Sequence, residues 1–293
     1  MSNYPKVAVL LAAYNGRDWI EEQINSILIQ KNVNVTLYIS VDLSTDDTYG
    51  FVSDLELINK YIKVLDYGKR FGSASSNFFR LIKEVDFSSY DYVSLSDQDD
   101  VWYDWKVHRA ISKLNETNSS GYSSDVTAFW PDGKEQLLKK SYPQCEHDYF
   151  FESPGPGCTF VFKQSVLQAF KSNFDKISTY ADQISVNHDW YLYAYVRQQG
   201  LNWIIDNRPA MMYRQHASNE MGMNSGLKSY SSRCKMVKNH WYRKQVAIML
   251  ESFEPQLKDK LLNRKYLILN FYKLRRRPRD RLALLIMLLI GFF

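Results

Sequence analysis

Glycine and proline are scarce in this 293-residue chain, at twelve and eight residues, and no repeat or low-complexity linker interrupts it. That leaves a globular chain, long enough for one large domain or a domain with a substantial appendage. Cysteine is scarcer still: Cys145, Cys158 and Cys234. An odd number at these spacings builds neither a disulfide framework nor a zinc site, and the expectation is a reduced, cytosolic protein. No Gly-x-Gly-x-x-Gly and no Gly-x-x-x-x-Gly-Lys-Ser/Thr occurs. Dinucleotide oxidoreduction and P-loop phosphoryl transfer are therefore disfavoured. The first hundred residues have no basic excess; the net charge of +5 gathers late, in KLRRRPRDR (273–281). No nucleic-acid partner is expected from such a distribution. No basic segment precedes the apolar run Val7–Ala13, which reads as a strand rather than a signal peptide.

What is abundant is aromatic: 15% of residues, with 21 Tyr and 7 Trp. Such an excess suits a sugar-binding or membrane-facing surface, and equally an aromatic core. The most apolar segment, RLALLIMLLIGFF (281–293), follows a run with five Arg between 275 and 281. It is too short to span a bilayer, which takes about 20 residues. Basic residues ahead of a short apolar segment fit a monotopic anchor on an anionic leaflet; the other reading is a buried terminal helix.

The first 115 residues alternate between two periods. KVAVLLAA (6–13) is continuously apolar, as a strand buried on both faces requires. RDWIEEQINSIL then puts Ile20, Ile24, Ile27 and Leu28 on one helical face. Further strands are expected at 35–41, 61–65 and 90–96, and further helices at 44–58, 73–85 and 105–114. Such alternation builds a parallel sheet, which binds ligands at the carboxyl ends of its strands. Beyond 120, two strands flank a Pro-Asp-Gly turn (131–133), GPGCTFVF (155–162) reads as a Gly-led strand, and 188–200 reads as a helix stopped by Gly200. Strands are expected again at 201–206 and 210–216, and only helices from 227 onward.

Three polar clusters fall on the carboxyl edge: Tyr14-Asn15 after strand one, Asp42 after strand two, and SDQDD, with Asp97, Asp99 and Asp100, after strand four. Helix capping accounts for one or two acids at such an exit, but poorly for three. Acids here suit a divalent cation with substrate phosphates, or general acid-base work. Trp102, just beyond, is expected in the core, and Asp46 and Asp47 at a helix start.

The ordered set VAVLLAAYNG, VDLSTDDT, SLSDQDDVW, GPGCTFVF, NHDWYLYAYV and YRQH resembles the family 2 glycosyltransferases of GT-A fold, and more narrowly bacterial polysaccharide rhamnosyltransferases. It covers about residues 5 to 220. The resemblance implies an α/β fold with a nucleotide-sugar-binding mixed sheet flanked by helices and a C-terminal helical extension. It gives a GT-A domain over 1–222, with a donor half (1–115) and an acceptor half (116–222); the basic run and apolar tail make 223–293 a helical, membrane-associating region. It implies an inverting, metal-dependent transfer, with dTDP-rhamnose the expected donor and a lipid-linked saccharide the acceptor. Ala13, Tyr14, Asn15, Asp42, Asp97 and Arg214 would bind the nucleotide-sugar, with Asp42 near the base. Asp99 and His216 would hold Mg²⁺ or Mn²⁺, and Asp189 would be the general base. Gly157, Cys158 and Trp190 would line the acceptor, and His188 would at most orient the loop. The setting would be O-antigen-type polysaccharide synthesis on the inner face of the cytoplasmic membrane. The chain departs from the family at Val41-Asp42-Leu43-Ser44, where one acid and one glycine are missing. Two other readings stand beside the enzyme: an inactive GT-A-like module binding a nucleotide-sugar or glycan, and a nucleotidyltransferase. The module should have lost Asp99 or Asp189, and both are present; the nucleotidyltransferase should carry a Gly-rich basic loop after strand one, which AAYNGRDW does not supply.

Overall fold

The structure, a computed structural model, describes residues 4–174, 188–216 and 240–293. Strand β1 (Lys6–Ala13) has every residue after Lys6 buried. Val7, Val9, Leu11 and Ala13 pack toward helix α1 (Ile20–Leu28), while Ala8, Leu10 and Ala12 pack toward helix α3 (Ala74–Glu84). Each face of the sheet thus carries its own core, as the unbroken apolar run requires. Parallel to β1 lie β2 (Asn34–Val41) on one side and β4 (Tyr92–Ser96) on the other, with β3 (Ile62–Val64) beyond β2. Helix α2 (Thr48–Ile58) crosses from β2 to β3. It begins four residues later than its pattern suggested, because Ser44 and Asp46 are spent on loop contacts described below.

The sheet continues past β4 through β9 (Val161–Lys163), β6 (Gly121–Ser124) and β10 (Trp203–Asp206). Strand β9 runs antiparallel to both neighbours, so the seven-stranded sheet is mixed. The expected strand over 155–162 is therefore shorter: Gly157–Thr159 forms a single 3₁₀ turn, closed by Thr159 and Phe160 amides on the Pro156 and Gly157 carbonyls. A smaller sheet has the order β5 (Val101–Trp102), β11 (Met211–Arg214), β7 (Val126–Phe129), β8 (Glu135–Leu138). The β7–β8 hairpin turns at Gly133, whose φ of 82° suits glycine.

Helix α4 (Lys106–Glu116) precedes β6, α5 (Gln164–Ser172) follows β9, and α6 (His188–Gln198) ends before Gly200. The C-terminal segment is helical: α7 (Trp241–Phe253), α8 (Lys258–Leu261), α9 (Arg264–Leu269) and α10 (Pro278–Ile290); its expected beginning, 227–239, lies outside the described residues. Val246, Leu250, Leu267, Leu284, Leu288 and Phe293 join the same core as Phe150 and Tyr191. No helix among the described residues is long and apolar enough to cross a membrane. Of the basic run, Arg275 and Arg276 turn inward, Arg276 to 3% exposure. The other face of α10 is bare: Leu282, Ile286, Leu289 and Ile290 are exposed.

Candidate active site

The carboxyl ends of β1, β2 and β4 meet, and their loops are tied together. The Tyr14 amide donates to the Gln98 side chain at 2.8 Å, and the Gln98 amide group returns to the Tyr14 carbonyl at 2.8 Å. Asn15 adopts a left-handed φ of 47°. There its Oδ1 accepts from the Thr45 amide at 2.7 Å, and its own N–H donates to Ser44 Oγ at 3.0 Å. The Gly16 amide reaches Thr48 Oγ1, and the Arg17 amide reaches Asp46 Oδ2. Burial raises the Asp46 carboxyl, but hydrogen bonds from Thr48 and Arg17 outweigh it and leave it lowered. Asp46 thus bridges two loops as well as standing before α2. The Ala13 carbonyl accepts from the Asp42 amide at 2.8 Å.

Asp42 is buried and engaged with its own chain. Its Oδ1 accepts from the Leu43 and Phe71 amides at 2.7 Å each, and its Oδ2 from Gly72 at 2.8 Å. The carboxylate holds the 71–72 backbone against the edge. Exposed Tyr14 stands beside it.

The acidic run lies where β5 pairs with β11. That antiparallel register, Met211 opposite Trp102 and Met212 opposite Val101, carries Arg214 on to the acids. The Arg214 amide donates to Asp100 Oδ1 at 3.1 Å, and its Nε to the Asp99 carbonyl at 2.8 Å. Its guanidinium lies 4.6 Å over the Phe129 ring and pairs with Glu22. His216 Nε2 is 2.7 Å from Asp99 Oδ2, and its ring stacks on Trp19 at 4.0 Å. Trp102 is in the core, its amide on Ser26 Oγ.

Beneath this pair lie Asp97, Asp100 and Cys158, whose ligand atoms all fall within 4.8 Å of one another. Burial, then Asp99 and Asp97, pushes the Asp100 carboxyl well up. Burial, then Asp100, pushes the Cys158 thiol up as well. Cys158 is wholly buried against Asp100, so its side chain faces the acids and offers a saccharide no surface. Lys106, also wholly buried, holds Nζ 3.4 Å above the Trp102 ring. Burial lowers its ammonium to about 7, while Cys158 and Asp100 pull the other way.

These donors suit a hard divalent cation. Asp100 Oδ2 is buried without a hydrogen-bond partner among the described residues, and Asp97 offers an oxygen beside it; Asp99, paired with His216, is not part of that cluster. The protonated thiol is a poor ligand for such an ion, so the fit rests on the carboxylates, with His216 reaching Asp99.

Asp189 stands in the first turn of α6. Its Oδ1 accepts from the Trp190 amide at 2.6 Å, and its Oδ2 from Ser153 Oγ at 3.0 Å. Burial raises its carboxyl to about 6 against those hydrogen bonds and the positive charge of Lys140. His188 beside it is neutral, lowered to about 3 by burial, and stacks on Phe78 at 4.0 Å. Gly157 presses on both: a Cβ there would lie 2.4 Å from His188 Nε2 and 3.3 Å from Asp189 Cβ. Trp190, expected to meet the acceptor, is in the core, its indole N–H on the Tyr149 carbonyl at 2.9 Å. Sequence reading missed Trp19, Glu22, Gln98, Lys106 and Ser153. Trp19, Glu22, Gln98 and Ser153 carry no local signal, since each acts through a partner distant in sequence; Lys106 sits close to Trp102 in sequence but reads as an ordinary helix lysine.

A mixed sheet with acids at the carboxyl edge and a carboxyl of raised pKa beside it has the GT-A-like architecture of sugar-transferring enzymes. The chain belongs to glycosyl transferase family 2, whose model matches residues 8–218, and is a glycosyltransferase. It is 42% identical over 290 residues to the dTDP-rhamnosyl transferase RfbG of Shigella flexneri, covering 97% of this chain and all of that one. The putative teichuronic acid biosynthesis glycosyltransferase TuaG of Bacillus subtilis is 30% identical over 42% of this chain and 49% of its own. Among solved structures, S. aureus TarS 1–349 with UDP-GlcNAc superposes with a TM-score of 0.62 at 15% identity, over 98% of this chain and 80% of that one. The mannosyltransferase PcManGT from Pyrobaculum calidifontis, in complex with GDP-Man and Mn²⁺, gives 0.55 at 14% identity, over 99% and 74%.

Proposed function

We propose that the chain transfers rhamnose from dTDP-rhamnose to a lipid-linked saccharide, with inversion at the anomeric carbon, in bacterial surface polysaccharide synthesis. The observation that carries the chemistry is Asp189: a carboxyl raised to about 6, held by Ser153 beside a glycine that lets the backbone close on it. Its ionised carboxylate takes the proton of the acceptor hydroxyl. The acceptor oxygen bonds to the anomeric carbon as the bond to the diphosphate breaks, and dTDP leaves. The donor rests on the relative's printed activity.

Tyr14, Asn15 and Ala13 form the edge on which the nucleotide lies. Asp42 acts there through the 71–72 backbone it holds. Asp99, with Asp97 and His216, would hold Mg²⁺ or Mn²⁺, which when bound neutralises the diphosphate leaving group. Arg214 keeps Asp99 and Asp100 in place through backbone contacts. Gly157 gives the acceptor its close approach. The exposed face of α10, with Arg279 also exposed, would lie on the anionic inner leaflet where a lipid-linked acceptor is presented.

Calorimetric titration of dTDP, UDP and GDP, each with and without Mn²⁺, tests this reading. Tight, metal-dependent binding of dTDP that disappears in Asp99→Ala is the expected result. Preference for another nucleotide would replace the donor; binding of none would remove the transferase reading of this edge.

A further inference from the structure

The buried arginine of the C-terminal segment does more than neutralise a buried acid. Arg276 Nη1 donates to Asp148 Oδ2 at 2.8 Å, and its Nη2 donates to the Ser153 carbonyl at 2.5 Å. Its backbone amide bonds Glu152, and neighbouring Arg275 reaches the Phe151 carbonyl at 2.8 Å. Asp148, fully buried, also accepts from the Tyr193 hydroxyl at 2.8 Å and from Arg197 at 3.2 Å, both on α6. One arm of the guanidinium is thus fixed to the helix that carries Asp189. The other is fixed to the loop residue whose hydroxyl holds Asp189 Oδ2 at 3.0 Å. The planar fork sets both partners of that hydrogen bond relative to each other, which a point charge does not do.

We propose that Arg276 is a positioning residue for the transfer, fixing the Ser153 hydroxyl against the Asp189 carboxylate. This rests on Asp189 being the base. An ion pair to Asp148 alone would suffice to dock the C-terminal segment; the second arm on Ser153 is what serves the site. The groups facing Asp189 are Ser153, the Trp190 amide, the Lys140 ammonium and the neutral His188 ring. Arg276 bonds the first, and its charge also lowers the Lys140 ammonium, an effect that a lysine at 276 retains.

The test uses the full chain with Arg276→Lys, which keeps the charge for Asp148 and loses the fork. The expected result is a fall in kcat of the order of 10- to 100-fold, with donor KM and nucleotide Kd within about twofold of the parent. The acidic limb of the kcat profile should move to higher pH, since a hydrogen bond that favours the charged carboxylate has loosened. Ser153→Ala should give the same pattern, and the double variant should be no worse than the poorer single. An Arg276→Lys enzyme with parental kcat and pH profile would overturn the proposal. So would multiplied losses in the double variant, or a chain that folds with neither Lys nor Gln at 276. Asp189→Asn, measured alongside, separates the two ideas: turnover surviving there removes the base, whatever Arg276 does.

Discussion

At the scale of the residue, Asp189 carries the clearest consequences. Asp189→Asn keeps the shape and removes the proposed proton acceptor. We expect transfer to fall by about 10²–10⁴-fold while dTDP binding, measured by calorimetry, stays within about twofold. The carboxyl is raised to about 6, and the base works only when ionised, so kcat/KM should fall as pH drops through about 6 and level off above it. A flat profile down to pH 5 would exclude Asp189. Of the site, what the chain's sequence displays is the chemistry of single side chains: Asp97, Asp99, Asp189, Arg214 and His216 stand out by type and order. It does not display who faces whom. Cys158 and Trp190 sit next to Gly157 and Asp189 in sequence, yet both are buried, Cys158 against the acids and Trp190 in the core. Trp19 and Ser153 meet their partners only because strands and helices remote in sequence converge.

At the scale of the element, the loop before β9 meets the start of α6 at Ser153 and at Gly157. Gly157→Ala adds a methyl 2.4 Å from His188 Nε2, closer than any real contact, so α6 or the loop must shift. We expect kcat to drop about 10–100-fold with nucleotide binding kept, read from steady-state kinetics and calorimetry. Helix α3 anchors the opposite side of the sheet through Asn77, whose Nδ2 donates to the Ser40 carbonyl at 2.9 Å and the Ala13 carbonyl at 3.3 Å. Asn77→Ala leaves buried polar groups unmet and should cost about 1–3 kcal/mol in urea unfolding. Strand β1 was legible because burial on both faces leaves an apolar run, and β2 to β4 because they alternate with helical periods. Strand β6, GYSS, was not: small and hydroxylic residues carry no hydrophobic period, and only its sheet neighbours make it a strand. The misread stretch at 155–162 is apolar only in its second half, and its glycine-led first half serves a turn.

At the scale of the whole molecule, α10 has two faces with different tasks. Leu284, Leu288 and Phe293 are in the core, so cutting off 281–293 would damage folding along with any membrane contact. Replacing Leu282, Ile286, Leu289 and Ile290 by Gln alters the bare face alone. We expect this variant to lose sedimentation with anionic phosphatidylglycerol vesicles while its thermal midpoint stays within about 2 °C of the parent. Retained vesicle binding would remove this face from the membrane.

The clamps on the Ser153 loop also set an order in time. Arg276 bonds Glu152 across 124 positions of chain. At about 5–20 residues per second of synthesis, a growing chain carries Asp148 and Glu152 for roughly 6–25 s before their arginine exists. During that interval strands β1 to β4, built from earlier residues, can assemble while the Ser153 loop is still unclamped. The clamp on the Ser153 loop is therefore among the last contacts that synthesis allows, closed only when the late segment docks.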